Sequence, residues 1–207
     1  MSDTAVKPQE VVVSSVANTA DPGPLGLAGF ALTTFCLSVF NAGILNADLQ
    51  GVVLPLALFY GGLGQLLAGM WEFKKNNTFG AVAFTSYGAF WMSFAGFVYL
   101  IVPKLVEAKA ANINEAVGLF LLAWTIFTLY MTISSFGVNG AVNAVFIVLF
   151  LTFVFLTIGN FANNASMIKV GGYLGILTAL LAWYTSFAGV ANATFGRVVA
   201  PVFPKKR

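Results

Sequence analysis

The chain has 207 residues, of which 59% are hydrophobic and only 8% charged, and its formal net charge is +3. Soluble domains carry about 25% charged residues, so no water-facing surface can be assembled from this composition. There is no histidine, and Cys36 is the one cysteine, which excludes an internal disulfide and argues against a zinc or haem centre. No cofactor is expected. The small positive charge sits at the chain ends and in one loop, so it reads as an orientation signal and not as a surface for nucleic acid.

Residues 1–20 are polar and rich in Val, Ser and Ala, without a basic stretch followed by an apolar core. They are expected to form a flexible tail, not a cleavable signal peptide. From Leu49 to Gly196 the chain is apolar except for Glu72, Lys74, Lys75, Lys104, Glu107, Lys109, Glu115 and Lys169. These charges are bunched, and the lengths between them fit a hydrocarbon layer, which needs about 20 apolar residues as helix. Lipid offers no hydrogen-bond partners, so the spanning backbone must be helical or a closed barrel. A barrel would alternate apolar and polar residues, and these runs are uniformly apolar.

Six spans are predicted, over residues 25–45, 52–71, 80–102, 116–136, 141–162 and 170–194. The uncharged run from 116 to 168 is too long for one helix, and Gly137-Val138-Asn139-Gly140 supplies the turn that divides it. The other breaks, over 46–51, 72–79, 103–115 and 163–169, are short as well, which forces antiparallel neighbours. The expectation is an all-α membrane protein, a six-helix bundle over 21–200 with a basic tail at 201–207. An even number of spans puts both ends on one side. That side holds Lys7, Lys74, Lys75, Arg197, Lys205, Lys206 and Arg207, against Lys104, Lys109 and Lys169 on the other. The excess places both termini in the cytoplasm. Trp71, Trp91, Tyr99 and Trp183 are candidates for interfacial anchors, with a packing role the alternative for Trp91.

Function must come from side chains within the spans. On the first span Phe30, Thr33, Thr34, Leu37, Ser38 and Asn41 recur at helical spacing. On the fifth, Leu149, Thr152, Phe153, Leu156, Asn160 and Asn164 do the same. An unpaired amide in hydrocarbon is costly, so these stripes face other helices or a water-accessible path. Two readings stand. Each hydroxyl is glue between helices, or the stripes together line a path. No charged residue lies at mid-span, where it would cost about 2.5–3.5 kcal/mol and mark an ion or proton relay. That absence argues against a redox carrier, a carboxylate-ladder pump and a voltage sensor. It suits a small weak acid that meets Thr, Ser and Asn donors, with Phe30, Tyr87 and Leu149 as a narrow apolar constriction. Glu72 ends the second span beside Lys74 and Lys75. It is either a locally paired helix-end carboxylate or a protonatable group at the mouth of the path. Gly61, Gly62, Gly64, Ala68 and Gly69, and again Gly171, Gly172 and Gly175, make small-residue faces for close helix approach, within one bundle or between copies.

The first span starts D-P-G-P-L-G-L-A-G-F over 21–30, with Pro24 suited to a first helical turn and Asp21 a cap candidate. That string resembles the N-P-A-P-L-G-L signature of the acetate uptake transporter family, the succinate–acetate permease group. Further matches follow in order: N-A-G from Asn41, F-Y-G-G from Phe59, E-F-K-K-N-N-T-F-G from Glu72, F-T-S-Y-G-A-F-W from Phe84, I-G-N from Ile158 and F-G-R from Phe195. The resemblance implies a homo-hexamer in the cell membrane with a path through each copy. It also implies passage of acetate and related short carboxylates such as succinate, by proton symport or in a channel-like manner. The family's constriction falls on Phe30, Tyr87 and Leu149, the last placed by counting back from I-G-N. Thr33, Thr34, Asn41, Ser86, Thr152 and Asn160 are candidate donors along the path, and Glu72 a candidate proton site at its mouth. The chain departs from the signature at Asp21, which puts a carboxylate where the family has an amide.

Acetate transport is thus the reading from sequence, with acetate or succinate, protons and the bilayer as partners. The alternatives are a channel or exporter for another small solute such as ammonia, or a membrane scaffold or sensor without flux. An enzyme is not expected, because the spans hold no nucleophile–base pair, metal cluster or phosphate loop.

Overall fold

A computed structural model describes residues 19–205. The expected N-terminal tail up to residue 18, with Lys7, lies outside the described residues, as do Lys206 and Arg207. Among the described residues six helices are long and apolar enough to cross a membrane: α1 Gly23–Asn41, α2 Ala47–Lys74, α3 Thr78–Glu107, α4 Ile113–Ser135, α5 Gly140–Phe161 and α6 Ala165–Phe195. Among the described residues there is no strand beyond one isolated bridge, Asn139 with Pro204. The turn expected at 137–140 divides α4 from α5. Several helices run past their expected ends, α2 from Ala47 to Lys74, α3 to Glu107, and α4 and α6 back to Ile113 and Ala165, because charged or polar residues continue the helix beyond the apolar stretch.

Asparagine starts most of these helices. The side-chain oxygens of Asn46, Asn77, Asn139 and Asn164 accept from Asp48 N, Gly80 N, Val142 N and Ser166 N, the last also from Met167 N. Each satisfies N–H groups that a helix start leaves open. Asn164 thus serves as a cap, although it falls on the polar stripe of the fifth span. At α1 the carboxylate of Asp21 accepts from Gly23 N at 3.2 Å. The last helix ends on Gly196 with φ +62, a left-handed termination that glycine adopts without strain.

The helices form a ring. Going round it, α4 packs on α5, α5 on α6, α6 on α1, α1 on α2 and α2 on α3. Small residues allow these approaches within the bundle. A Cβ on Gly88 of α3 would come to 2.6 Å from Leu66 N of α2, and one on Gly172 of α6 would run into the backbone nitrogen of Ala42. Backbone contact between α3 and α4 is sparse by comparison. Aromatic side chains close this gap. Phe97 stacks on Phe120 at 5.7 Å, Phe90 meets Trp124 edge-on at 5.1 Å, and Tyr87 meets Phe127 edge-on at 5.2 Å. Trp91 is buried in this aromatic layer, whereas Trp71 and Tyr99 are exposed. Trp183 packs on Phe35 at 5.3 Å.

Two irregularities shape α2 and α3. Each contains a π-helical stretch, Phe59–Gly64 in α2 and Phe97–Ile101 in α3. After α6 the chain turns back as a strap. Asn192 accepts from Val199 N and Ala200 N and donates to Ala200 O. Gly140 N and Ala141 N, at the start of α5, donate to Phe203 O and Val202 O. The strap therefore caps α5 with main-chain carbonyls.

Candidate functional site

Three cavities follow one another through the ring. At the end that carries the described termini, a chamber of about 360 Å³ is bounded by Asp21, Glu72, Asn77, Phe79, Asn192 and Val202, among others. At the opposite end, one of about 470 Å³ is bounded by Leu37, Asn41, Gln50, Phe94, Leu156 and Asn160, among others. Between the two levels lies a cavity of about 20 Å³, room for roughly one water. Leu27, Ala83, Phe84 and Phe146 line both this small cavity and the first chamber. No residue is shared with the far chamber. There the ring of Phe90 stands between levels, packed on Trp124 and on Phe120, which faces the far chamber.

Phe30, Tyr87 and Leu149 are brought together from α1, α3 and α5 around the small cavity. All three are buried, and the Phe30 and Tyr87 rings lie 5.7 Å apart. The Tyr87 hydroxyl shares a hydrogen bond of 2.8 Å with Thr128 Oγ1 on α4. Its polar end is therefore engaged with the neighbouring helix, and it contributes a ring face to the cavity wall.

The expected donors divide. Asn41 and Asn160 line the far chamber, and Asn160 Nδ2 donates to Leu156 O at 2.8 Å. Thr33, Thr34, Ser86 and Thr152 line none of these three cavities. Thr33 Oγ1 donates to Gly29 O at 3.0 Å and its side chain abuts Gly61. Thr152 Oγ1 donates to Val148 O and meets Thr178 Oγ1 at 3.3 Å. Thr34 Oγ1 is buried without a partner. Helical spacing puts these hydroxyls on the same face as Phe30 or Leu149. The face is wide, however, and its edges are taken up by α2 and α6.

Glu72 lies in the first chamber and is only 1% exposed. Its Oε2 accepts from Asn77 Nδ2 at 2.8 Å. Neither neighbouring lysine pairs with it. Lys75 Nζ bonds Asp21 Oδ1 at 3.0 Å, and Lys74 sits over the Trp71 ring at 5.0 Å. The departure from the family signature at Asp21 thus comes with its own cation.

One wall residue has no counterpart in the sequence reading. Gln65 lines the small cavity, is 1% exposed, and its Oε1 has no hydrogen-bond partner. The one sequence signal was an amide in an otherwise small and apolar stretch, G-G-L-G-Q-L-L-A-G, where the glycines dominate the pattern.

Six apolar helices, ringed round chambers at both ends and a pinch between them, make this a multi-pass membrane protein. Residues 3–205 match the GPR1/FUN34/yaaH family, and the chain belongs to that family. It is 45% identical over 188 residues to accumulation of dyads protein 2 of Saccharomyces cerevisiae, covering 89% of this chain and 66% of the yeast protein. The chain thus spans about two thirds of the length of that relative. It is 40% identical over 183 residues to the succinate-acetate/proton symporter SatP of Escherichia coli K12, covering 88% of this chain and 95% of the bacterial one. The solved structure of the bacterial acetate channel SatP superposes with a TM-score of 0.82 at 39% identity, covering 89% of this chain and 99% of that one.

Proposed function

We propose that this chain carries acetate and related short carboxylates, succinate among them, across a membrane through the pinched path inside each copy. The observation that carries the reading is the sequence of cavities: two chambers opening at opposite ends, and at a level between them a small cavity walled by Phe30, Tyr87 and Leu149. Such a pinch rejects hydrated ions by size and by loss of their water, and it admits a small solute that sheds its shell. The amides of Asn41 and Asn160 are the donors that receive a carboxylate in the far chamber. Glu72 and the Asp21–Lys75 pair set the electrostatics of the other mouth. The solute leaves chemically unchanged, so the protein acts as a transporter or channel and not as an enzyme. Names borne by relatives agree with this: one is a succinate-acetate/proton symporter and another structure an acetate channel. The wider assembly proposed is a homo-hexamer with both termini in the cytoplasm.

The test is uptake of labelled acetate into proteoliposomes across an imposed pH gradient, with competition by succinate, lactate and formate. Uptake above protein-free liposomes that unlabelled acetate and succinate suppress is the expected result. Uptake no greater than in protein-free liposomes overturns the reading.

A further inference from the structure

We propose that Gln65 selects the protonation state of the solute at the constriction, by pairing both its amide oxygen and its N–H with an un-ionised carboxylic acid and offering the carboxylate its N–H alone. The proposal rests on the carboxylate-transport reading above and concerns how the same path discriminates.

Of the residues around the small cavity, only Tyr87 and Gln65 carry polar side-chain atoms. Tyr87 spends its hydroxyl on Thr128. Gln65 is left as the polar group of the pinch, and its Oε1 is buried and open. Buried acceptors nearly always have a partner, and leaving one open is costly. The backbone keeps it there. The π-helical stretch Phe59–Gly64 ends immediately before Gln65. The extra residue of a π turn rotates all that follows by about 100° relative to a regular helix, and such turns gather at functional positions. Gly29, one residue before Phe30, lies against this segment: a Cβ there would stand 3.8 Å from Gln65 Cβ.

The chemistry follows from the donor and acceptor inventory. An amide offers one acceptor oxygen and N–H donors, and an un-ionised acid offers an O–H donor and a carbonyl acceptor. The two close a ring of paired hydrogen bonds, O–H to Oε1 and N–H to the acid carbonyl. A carboxylate has acceptors alone. It can accept from the N–H, but its other oxygen would set a lone pair against Oε1, and it would carry its charge into a dry pocket. Among the described residues that line the pocket, none is a cation to receive it. The side chains facing Gln65 from α1, α3 and α5 are apolar or aromatic, and Tyr87 is the one titratable group among the lining residues. Glu72 stands seven residues further along α2, about 10 Å by helical rise, and is of the wrong sign for an anion. The Asp21–Lys75 pair belongs to the mouth beyond it.

The acid therefore crosses with its own proton. A carboxylate arriving in one chamber takes a proton from water, passes the pinch neutral and releases the proton in the other chamber. One proton moves per acid and no net charge moves. Flux of this kind is coupled to protons without any titrating group at the pinch, so a passive channel and a proton symporter become the same device.

The experiment measures radiolabelled acetate uptake into proteoliposomes at external pH from about 5 to about 7, above the ordinary carboxyl range, with protein-free liposomes subtracted. It is repeated under a potential imposed with a potassium gradient and valinomycin. Wild-type uptake is expected to fall in step with the un-ionised acid and to ignore the potential. Gln65→Met, similar in length and without amide atoms, is expected to lower uptake at least about tenfold at every pH. Gln65→Glu is expected to keep uptake near pH 5, because burial in the apolar pocket favours the neutral carboxyl, which offers the same donor and acceptor. Toward pH 7 it should lose uptake more steeply than wild type as it ionises. Wild-type uptake that follows total acetate and responds to the potential overturns the proposal, as does a wild-type rate in Gln65→Met. If Gln65→Met fails to fold, a Gln65→Glu profile parallel to wild type overturns it equally. Wild-type protein that moves no acetate under any condition overturns the transport reading itself, whereas normal wild-type flux with an indifferent Gln65→Met overturns the pairing alone.

Discussion

Tyr87 shows how one side chain divides its work. Its ring packs on Phe30 and Phe127, while its hydroxyl reaches α4 and meets Thr128. Thr128→Val keeps the shape and removes the partner, leaving a buried phenol unpaired. A loss of about 1–3 kcal/mol is expected, a drop in Tm of roughly 2–4 °C for each kcal/mol at this chain length, read by thermal unfolding in detergent. At the pinch itself, size is the variable. Leu149→Ala or Phe30→Ala removes bulk from the wall, and uptake of lactate relative to acetate is expected to rise several-fold in labelled-acid competition. Unchanged selectivity in both variants would remove the constriction assignment. Phe30, Tyr87 and Leu149 were found through short motifs and their spacing. Gln65 was not, because a single amide has no periodicity, and whether it finds a partner is a property of the packed molecule. The threonines show the converse. Thr33 and Thr152 share a helix face with the pinch residues, yet their hydroxyls bond backbone carbonyls of their own helices.

At the scale of elements, asparagine does much of the punctuation. Asn46, Asn77, Asn139 and Asn164 each start a helix with a side-chain acceptor. These caps explain how loops this short reverse the chain. The π-helical stretches in α2 and α3 were not legible, because apolar residues fill both regular and widened turns equally well. The strap after α6 was read from sequence as a basic tail. Its docking depends on Asn192, which holds Val199 and Ala200 by three hydrogen bonds. Asn192→Ala leaves those backbone groups open at a local cost of about 2–4 kcal/mol. Amide exchange at Val199, Ala200, Gly140 and Ala141 is expected to quicken by tenfold or more, while the middle of α5 stays protected. Exchange unchanged at all four amides would show that the strap is held by something else. Because Val202 bounds the first chamber, the strap is also part of that wall.

For the molecule as a whole, the ring is continuous through helix packing at every seam except the one between α3 and α4, where aromatic rings fill the gap. Large apolar side chains such as Phe59, Tyr99, Ile126, Ile133 and Phe187 cover the outside, a surface suited to lipid or to further copies of the chain. Topology can be read directly, since the chain has one cysteine. In a Cys36→Ser background, Lys75→Cys and Lys205→Cys are expected to react with an impermeant thiol reagent from the same side of the membrane. Lys109→Cys is expected to react from the other. Labelling of the Lys75 and Lys205 positions from opposite sides would break the proposed orientation.

Composition and the spacing of charges determined by themselves that this chain is a bundle of six membrane helices. The cause is general: hydrocarbon satisfies no backbone group, so length and hydropathy leave one solution. Short motifs shared with the family further pointed to Phe30, Tyr87 and Leu149, which the fold gathers around one small cavity. Tertiary structure alone decided which polar groups are spent within the bundle and which stay open. Thr33, Thr152 and Tyr87 find partners, and Gln65 Oε1 does not. Hydrogen bonds are directional and short, so their pairing depends on how helices distant in sequence are turned toward one another, and local pattern does not encode that rotation.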